Sequence, residues 1–312
     1  MNRRIRIPCL VDIALIDEPA SIKTLNADDR VDRNFRRRGP LVNRVLEGRL
    51  LRAMSLGPWL LPAFMPRDDE GRADAQAALE ARLGQDKPWQ DDDLHALVAL
   101  VDEGAAKDRL GIAVQQLVGR LFFDDYRADA ESYAAAQLVD AYPRGNPLKA
   151  LWWRLSGKLQ RARTLLWKKA QDDGHAIHAT VIAFHNIVIA VERMQSLRRN
   201  PGRRPRLSAE TIVQQCLSAP PRTLRRVKAE IDTPHSKRPL REHGLLVFEL
   251  GKAQKRTGAA GDAFMTASWS QCPAHRFVPS LLMAIWRELE PVDQASERAG
   301  ETADKIADEV PA

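Results

Sequence analysis

A mainly helical protein with a few small strands is the fold class this sequence predicts. Three observations carry it. Apolar residues recur with a helical period over long stretches, most clearly at Leu110, Ala113, Val114, Leu117, Val118, Leu121 and Phe122. Strand-like runs are few and short, confined to residues 9–16, 224–231 and 245–250. No internal repeat and no long linker divides the chain, so residues 1–290 read as a single domain.

The elements follow in order. The apolar run from Cys9 to Ile16 predicts a strand. Pro19 then sets the first turn of a helix with Ile22 and Leu25 facing inward. The charged stretch Arg30 to Arg38 ends at the Gly39-Pro40 break, and Val42, Val45, Leu46 and Leu50 place a helix over 41–54. Residues 57–66 are apolar but studded with proline, which predicts a lining loop. Acidic residues followed by Ala, Leu and Arg predict a helix over 68–83, and Asp91-Asp92-Asp93 opens another to Val101. Residues 148–169 read as one long helix with Leu151, Trp152, Leu155, Leu159 and Leu166 inside and a basic outer face. The longest candidate is 175–199, carrying Ile177, Val181, Phe184, Val188, Val191 and Met194. Ser208 caps a helix that ends near Leu217, before Pro220-Pro221. Residues 251–261 are expected to be loop, and the acidic tail 291–312 to be disordered.

Composition bounds the function. The chain has 312 residues, 44% hydrophobic and 29% charged, enough for a substantial core. Three distant cysteines, Cys9, Cys216 and Cys272, give no disulfide framework and suit a reducing, cytoplasmic setting. No apolar run is expected to cross a bilayer and the N-terminus lacks a secretory pattern, so no membrane partner is expected. The net charge of +7 is spread over basic clusters such as Arg36-Arg37-Arg38 and Lys168-Lys169. No nucleic-acid reader signature accompanies them, so nucleic acid is disfavoured as a partner. Phosphate-loop, dinucleotide, zinc and nucleophile-elbow patterns are absent.

The most informative stretch is Ser268-Trp-Ser-Gln-Cys272-Pro-Ala-His-Arg276-Phe-Val, followed by a helical apolar run through Trp286. A thiolate at the head of a helix is favoured by unpaired backbone N–H groups. Such a sulfur can hold a metal on one protein ligand. The plainer reading is a free, packed cysteine.

The Cys272-Pro-Ala-His-Arg276-Phe-Val segment resembles the haem loop of the cytochrome P-450 superfamily, and the helix after it resembles that family's proximal helix. Leu217-Ser-Ala-Pro220-Pro221 with Leu224-Arg225-Arg226-Val227, the segment Val114 to Phe123, and Ala14 to Ile22 are similar to further parts of the family's order, and 175–201 stands where its long central helix belongs. The chain departs from the family at several motifs. The Glu-x-x-Arg pair falls on Gln214 and Leu217, the loop glycines on Ser268 and Ala274, and the distal acid–alcohol pair on Phe184 and His185.

The resemblance implies a shortened, haem b-containing oxidoreductase that hydroxylates or peroxygenates a small organic molecule, with Cys272 as axial iron ligand. It implies His185 and Asn186 as distal groups, with His178 one turn earlier as a weaker candidate for proton handling. It also implies Arg225, Arg226, His275, Arg276 and Arg72 as partners of the haem carboxylates, and Trp269 lying against the proximal face. Its electron donor would be an acidic ferredoxin- or flavodoxin-type protein, unless peroxide is used directly. A haem-free relative acting as a binding or scaffold protein is the alternative.

Overall fold

The computed structural model describes residues 3–56, 59–61, 65–199, 207–217, 219–220, 222–233, 238–258, 264–266 and 268–289. The expected tail after 290 and the break at Pro201 lie outside these residues.

A five-stranded sheet and a helical body share one framework. Strands β1 (Arg3–Ile7), β2 (Val11–Ile16), β3 (Val31–Asp32), β6 (Thr223–Val227) and β7 (Leu245–Phe248) form the sheet, in the order β1-β2-β7-β6-β3. Only the β2–β7 pairing is parallel; the others are antiparallel. Successive strand side chains point to opposite faces. Val11 and Ile13 of β2, with Leu245 and Val247 of β7, therefore enter the main helical core. Ala14, Ile16, Leu246 and Phe248 enter a second, smaller core with Ile22, Leu25 and Leu250. Both faces of β2 and β7 are covered, which is why both are largely apolar rather than alternating, Asp12 of β2 being the buried exception.

The strand at Arg3–Ile7 is absent from the sequence expectation, because it alternates Arg and Ile and leaves Ile5 and Ile7 exposed. Helix α1 (Pro19–Ala27) matches the expectation from Pro19, and α2 spans Leu41–Met54. Two short strands, β4 (Ser55–Leu56) and β5 (Trp59–Leu60), pair with each other within the proline-studded region.

Helices α3 (Glu70–Leu83), α4 (Asp91–Glu103) and α5 (Lys107–Arg120) follow the periodic pattern. Asp69 caps α3 by accepting from Gly71 N, and α4 stops at Gly104 in the left-handed region. Helix α6 (Ala130–Ala141) is absent from the sequence expectation; its alanine-rich sequence gives little apolar contrast, and a capping box between Asp129 and Ser132 starts it instead.

The expected single helix over 148–169 is two: α7 (Pro147–Leu155) and α8 (Lys158–Lys169), divided at Gly157 with φ 70°. The facing also differs. Leu159 and Leu166 are buried, but Leu151, Trp152 and Leu155 point outward.

The longest helical run passes from α9 (Gly174–His178) through a π-helical turn at Ala179–Ala183 into α10 (Phe184–Arg199). This run, Gly174–Arg199, is long and apolar enough to cross a membrane by length and composition, which corrects the sequence expectation. It packs instead among α4, α5, α11 (Ala209–Cys216) and the last helix, α13 (Phe277–Leu289). Residues 250–257, expected as loop, form α12 (Leu250–Thr257), which ends at Gly258 with φ 67°. Seven apolar side chains of α13 are buried, each contributing roughly 1.5–3 kcal/mol relative to exposure. They anchor the Cys272 loop from its C-terminal side.

Candidate cofactor site

Cys272 stands immediately before a 3-10 turn (Pro273–His275), in extended backbone at φ −72° and ψ 123°. Its own N–H donates to the Phe264 carbonyl at 2.8 Å, and its carbonyl accepts from His275 N at 3.1 Å. The loop is thus held at both ends of this residue. The sulfur lies deep, and burial pushes its pKa up. Two features oppose that push: the Ala274 backbone N–H directed at the sulfur and the positive charge of Arg33. The contrast with Cys216 is plain. That thiol is fully buried on α11, its pKa is pushed up to about 12 by burial, and it serves as packing. Cys9, expected to be packed, is instead exposed in the β1–β2 turn at φ 60°.

Trp269, three residues before Cys272, is the centre of a cluster of guanidinium groups. Arg72 lies 4.7 Å from its ring centroid, Arg33 5.4 Å, Arg225 5.5 Å and Arg67 5.7 Å. The indole N–H donates to Asn26 O at 2.7 Å, which fixes the ring against the end of α1. Arg72, from the first turn of α3, donates to the carbonyls of Met65 and Trp269.

Arg225 has no accessible surface. Its five donors all meet neutral acceptors: Nε bonds Asn26 Oδ1 at 3.1 Å, Nη1 bonds Thr223 Oγ1 and Leu224 O at 2.8 Å, and Nη2 bonds Ser270 Oγ at 2.9 Å and contacts Met265 Sδ at 3.4 Å.

The electrostatics of this cluster are one-sided. Burial, then the charges of Arg33 and Arg72, push the Arg225 pKa well below its ordinary value. Arg33 is pushed down to about 9, first by burial and then by Arg72. Asp32 is the carboxylate felt by all three. Its Oδ1 is already engaged by the backbone N–H groups of Arg33 and Arg67. Asp69 bears on Arg72 as well; Arg225 is fully buried, Arg33 and Arg72 are half-buried, and the cluster is rich in positive charge.

Arg33 also reaches the central helix. His178, last residue of α9 at the head of the π turn, has its pKa pushed down to about 4, by burial first and then by the Arg33 charge. The positive charge of Arg33 therefore acts on both the Cys272 sulfur and His178. Sequence reasoning passes over Arg33 because it sits in the charged run 30–38, where nothing separates an inward arginine from its solvated neighbours.

The remaining expected residues are distributed as follows. Arg226, next to Arg225 on β6, points to the opposite sheet face and pairs with Glu47 at 3.8 Å and His243 at 2.7 Å, away from Trp269. His275 Nδ1 donates to Cys272 O at 3.1 Å, and with Arg276 it lines a small cleft against Glu80 and Leu83 of α3. His185 stacks between Phe184 and Tyr133, at centroid distances of 4.1 and 6.4 Å. Burial lowers its pKa, and the charges it feels are Asp140, Arg144 and Lys107 rather than the Arg33 group. Asn186 is half-buried beside it. Gln214 and Leu217, at the Glu-x-x-Arg positions, make no ion pair; Arg193 instead donates to the Cys216 and Leu217 carbonyls.

No family model and no curated protein matches this chain. Solved structures do. A mutant form of cytochrome P450SP alpha (CYP152B1) superposes with a TM-score of 0.55 at 12% identity, covering 93% of this chain and 84% of that one. CYP175A1 from Thermus thermophilus gives 0.53 at 14% identity, over 89% of this chain and 81% of that one. The ligand-free cytochrome P450 OleT gives 0.53 at 10% identity, over 88% and 80%. The fold is therefore a cytochrome P450-like helical fold.

Proposed function

We propose that this protein is a haem-thiolate oxidoreductase acting on a small organic molecule. The observation that carries the reading is the gathering of the Arg33, Arg72 and Arg225 guanidiniums around Trp269, one short loop from Cys272. A guanidinium cluster of this kind suits anionic groups such as carboxylates. The two carboxylates of haem b would supply them, and Cys272 would hold its iron.

Arg33 and Arg72 would hold the carboxylates, with Arg225 adding charge from behind, since its own donors are engaged. Trp269 would lie against the ring's proximal side. When bound through a thiolate, haem supplies oxidation of organic molecules with either dioxygen and electrons or peroxide.

The chain's own residues have definable tasks. The Ala274 N–H and the Arg33 charge favour the Cys272 thiolate against the burial that disfavours it. His178 is held neutral at physiological pH, so one ring nitrogen can accept a hydrogen bond while the other donates one, and full protonation is disfavoured. We assign distal proton handling to His178 in preference to His185 and Asn186, because His178 shares the Arg33 field and His185 is stacked on Tyr133 and Phe184. Exposed Arg276 beside the Cys272 loop suits an acidic ferredoxin- or flavodoxin-type donor.

The test is an absorption spectrum after expression with haem supplied. The expected result is a haem-loaded protein whose reduced carbon-monoxide band has the position a thiolate ligand gives. Cys272→Ala should lose that band while keeping its helical content. A wild-type protein that folds yet takes up no haem would refute the reading and leave the binding or scaffold role.

A further inference from the structure

Among the described residues, the large hydrophobic side chains with the most exposed surface gather in one zone. Helix α7 presents Leu148 (76% exposed), Leu151, Trp152 (52%) and Leu155 (76%) to solvent. These four lie at i, i+3, i+4 and i+7, one face of a helix. Other exposed apolar side chains continue this zone. Leu41 and Val45 stand on the face of α2 whose next residue, Arg49, bonds the Tyr142 and Gly145 carbonyls at the foot of α7. At the other end of α2, Leu41 N and Val42 N bond the Cys9 and Leu10 carbonyls, joining it to the β1–β2 turn, where Ile7 and Leu10 are exposed. The zone therefore runs from the hairpin over α2 to α7.

Its charge has a single sign. Between Asp140 and Asp172 the chain carries four arginines and four lysines and no Asp or Glu. Arg144 and Lys169 are tied to Asp140 and Asp129. The cations flanking the apolar face of α7 itself, Lys149, Arg154, Lys158 and Arg161, are exposed. The Lys158 ammonium lies 4.4 Å from the Trp152 ring centroid and the Lys149 ammonium 4.9 Å from that of Trp153, so positive charge stands directly against the aromatic surface. In the hairpin and α2, Asp12 is held by Arg4 and Glu47 by Arg226, so these acids do not offset the surface cations.

From this we infer that the α7 zone docks the protein peripherally on an anionic lipid surface. An amphipathic helix with a Trp/Leu face and a Lys/Arg rim is the pattern that lies in a bilayer interface. Two copies meeting through this zone would bring like charges together, which argues against self-association. The docking helix sits between α6 and α8, so the contact is made by the body of the fold and requires no spanning segment. It does not depend on the haem assignment.

The experiment is sedimentation of the full chain with phosphatidylcholine vesicles, with and without a minority of phosphatidylglycerol, at low and high salt. Binding to the anionic vesicles should exceed that to neutral ones by about tenfold or more and fall as salt rises. Two variants that leave the core intact, Leu151→Ser with Trp152→Ser and Lys149→Glu with Lys158→Glu, should each lose about tenfold while keeping the wild-type circular dichroism and melting temperature. Absence of binding to anionic vesicles overturns the inference. So does loss only in the charge variant, which would mark a general polyanion surface. Concentration-dependent dimerisation abolished by the apolar variant, without vesicle binding, would assign the zone to a second copy.

Discussion

Arg225 and Arg226 are neighbours on one strand, both buried, and they live in opposite electrostatic worlds. Arg226 has an acid: Glu47, itself without accessible surface, stands 3.8 Å away, and His243 completes the group. Arg225 has only neutral acceptors and two further arginines near it. The alternation of a strand sends the two to different faces, and the faces have different purposes. The Arg226 side is closed upon itself and serves the fold. The Arg225 side, its donors met by neutral acceptors, is the one we propose takes an anion from outside.

The strongest way to break this comparison is to remove the acid from the closed side. Glu47→Leu leaves Arg226 buried without its carboxylate, and the loss should be about 3 kcal/mol or more in urea unfolding. A variant as stable as wild type would mean that the pair contributes nothing and that the two faces differ less than argued.

The histidines offer a finer test. His178 faces the field of Arg33, whereas His243 has Glu242 at 3.4 Å to offset Arg226. The folded-state pKa of His178, about 4, lies below its ordinary 6.5, so the folded protein binds fewer protons than the unfolded chain between these values. Stability from this site is complete above pH 6.5 and is lost as pH falls towards 4, at a slope of at most about 1.4 kcal/mol per pH unit. His178→Gln, compared with wild type in haem-free form by urea unfolding at several pH values, should flatten that slope; an unchanged slope would remove His178 from the positive field.

The smallest effect has the most diagnostic sign. Asn26→Asp places a carboxylate where Arg225 Nε now meets an amide oxygen. The open side then resembles the closed one. The haem-free protein should gain about 1 kcal/mol, while haem titration should show about tenfold weaker binding. A loss of stability, or unaltered haem affinity, would contradict the assignment of an external anion.

Much of this organisation is legible in the chain. Pro19 and Leu41–Met54 give α1 and α2, and the period at Leu110–Phe122 gives α5. The Cys272 loop stands out because cysteine, proline and a long apolar helix follow in sequence. What fails has physical causes. Periodicity shows that residues 148–155 form an amphipathic helix, but not whether anything covers its apolar stripe, so Leu151 and Trp152 are expected inside and lie outside. Arg33 is invisible within a run of arginines because inward and outward cations have the same composition. Helix α6 lacks contrast because alanine is at home in either environment.

The π turn at Ala179–Ala183 holds a consequence for any reading of the central helix. A π turn accommodates one more residue than an α-helical turn, and each residue of an α-helix advances by about 100°. Residues upstream of the turn, His178 among them, therefore stand at a different azimuth from the one an uninterrupted period through α10 would give them. Deleting a single residue within the turn would swing the imidazole of His178 out of the Arg33 field without altering any side chain in it.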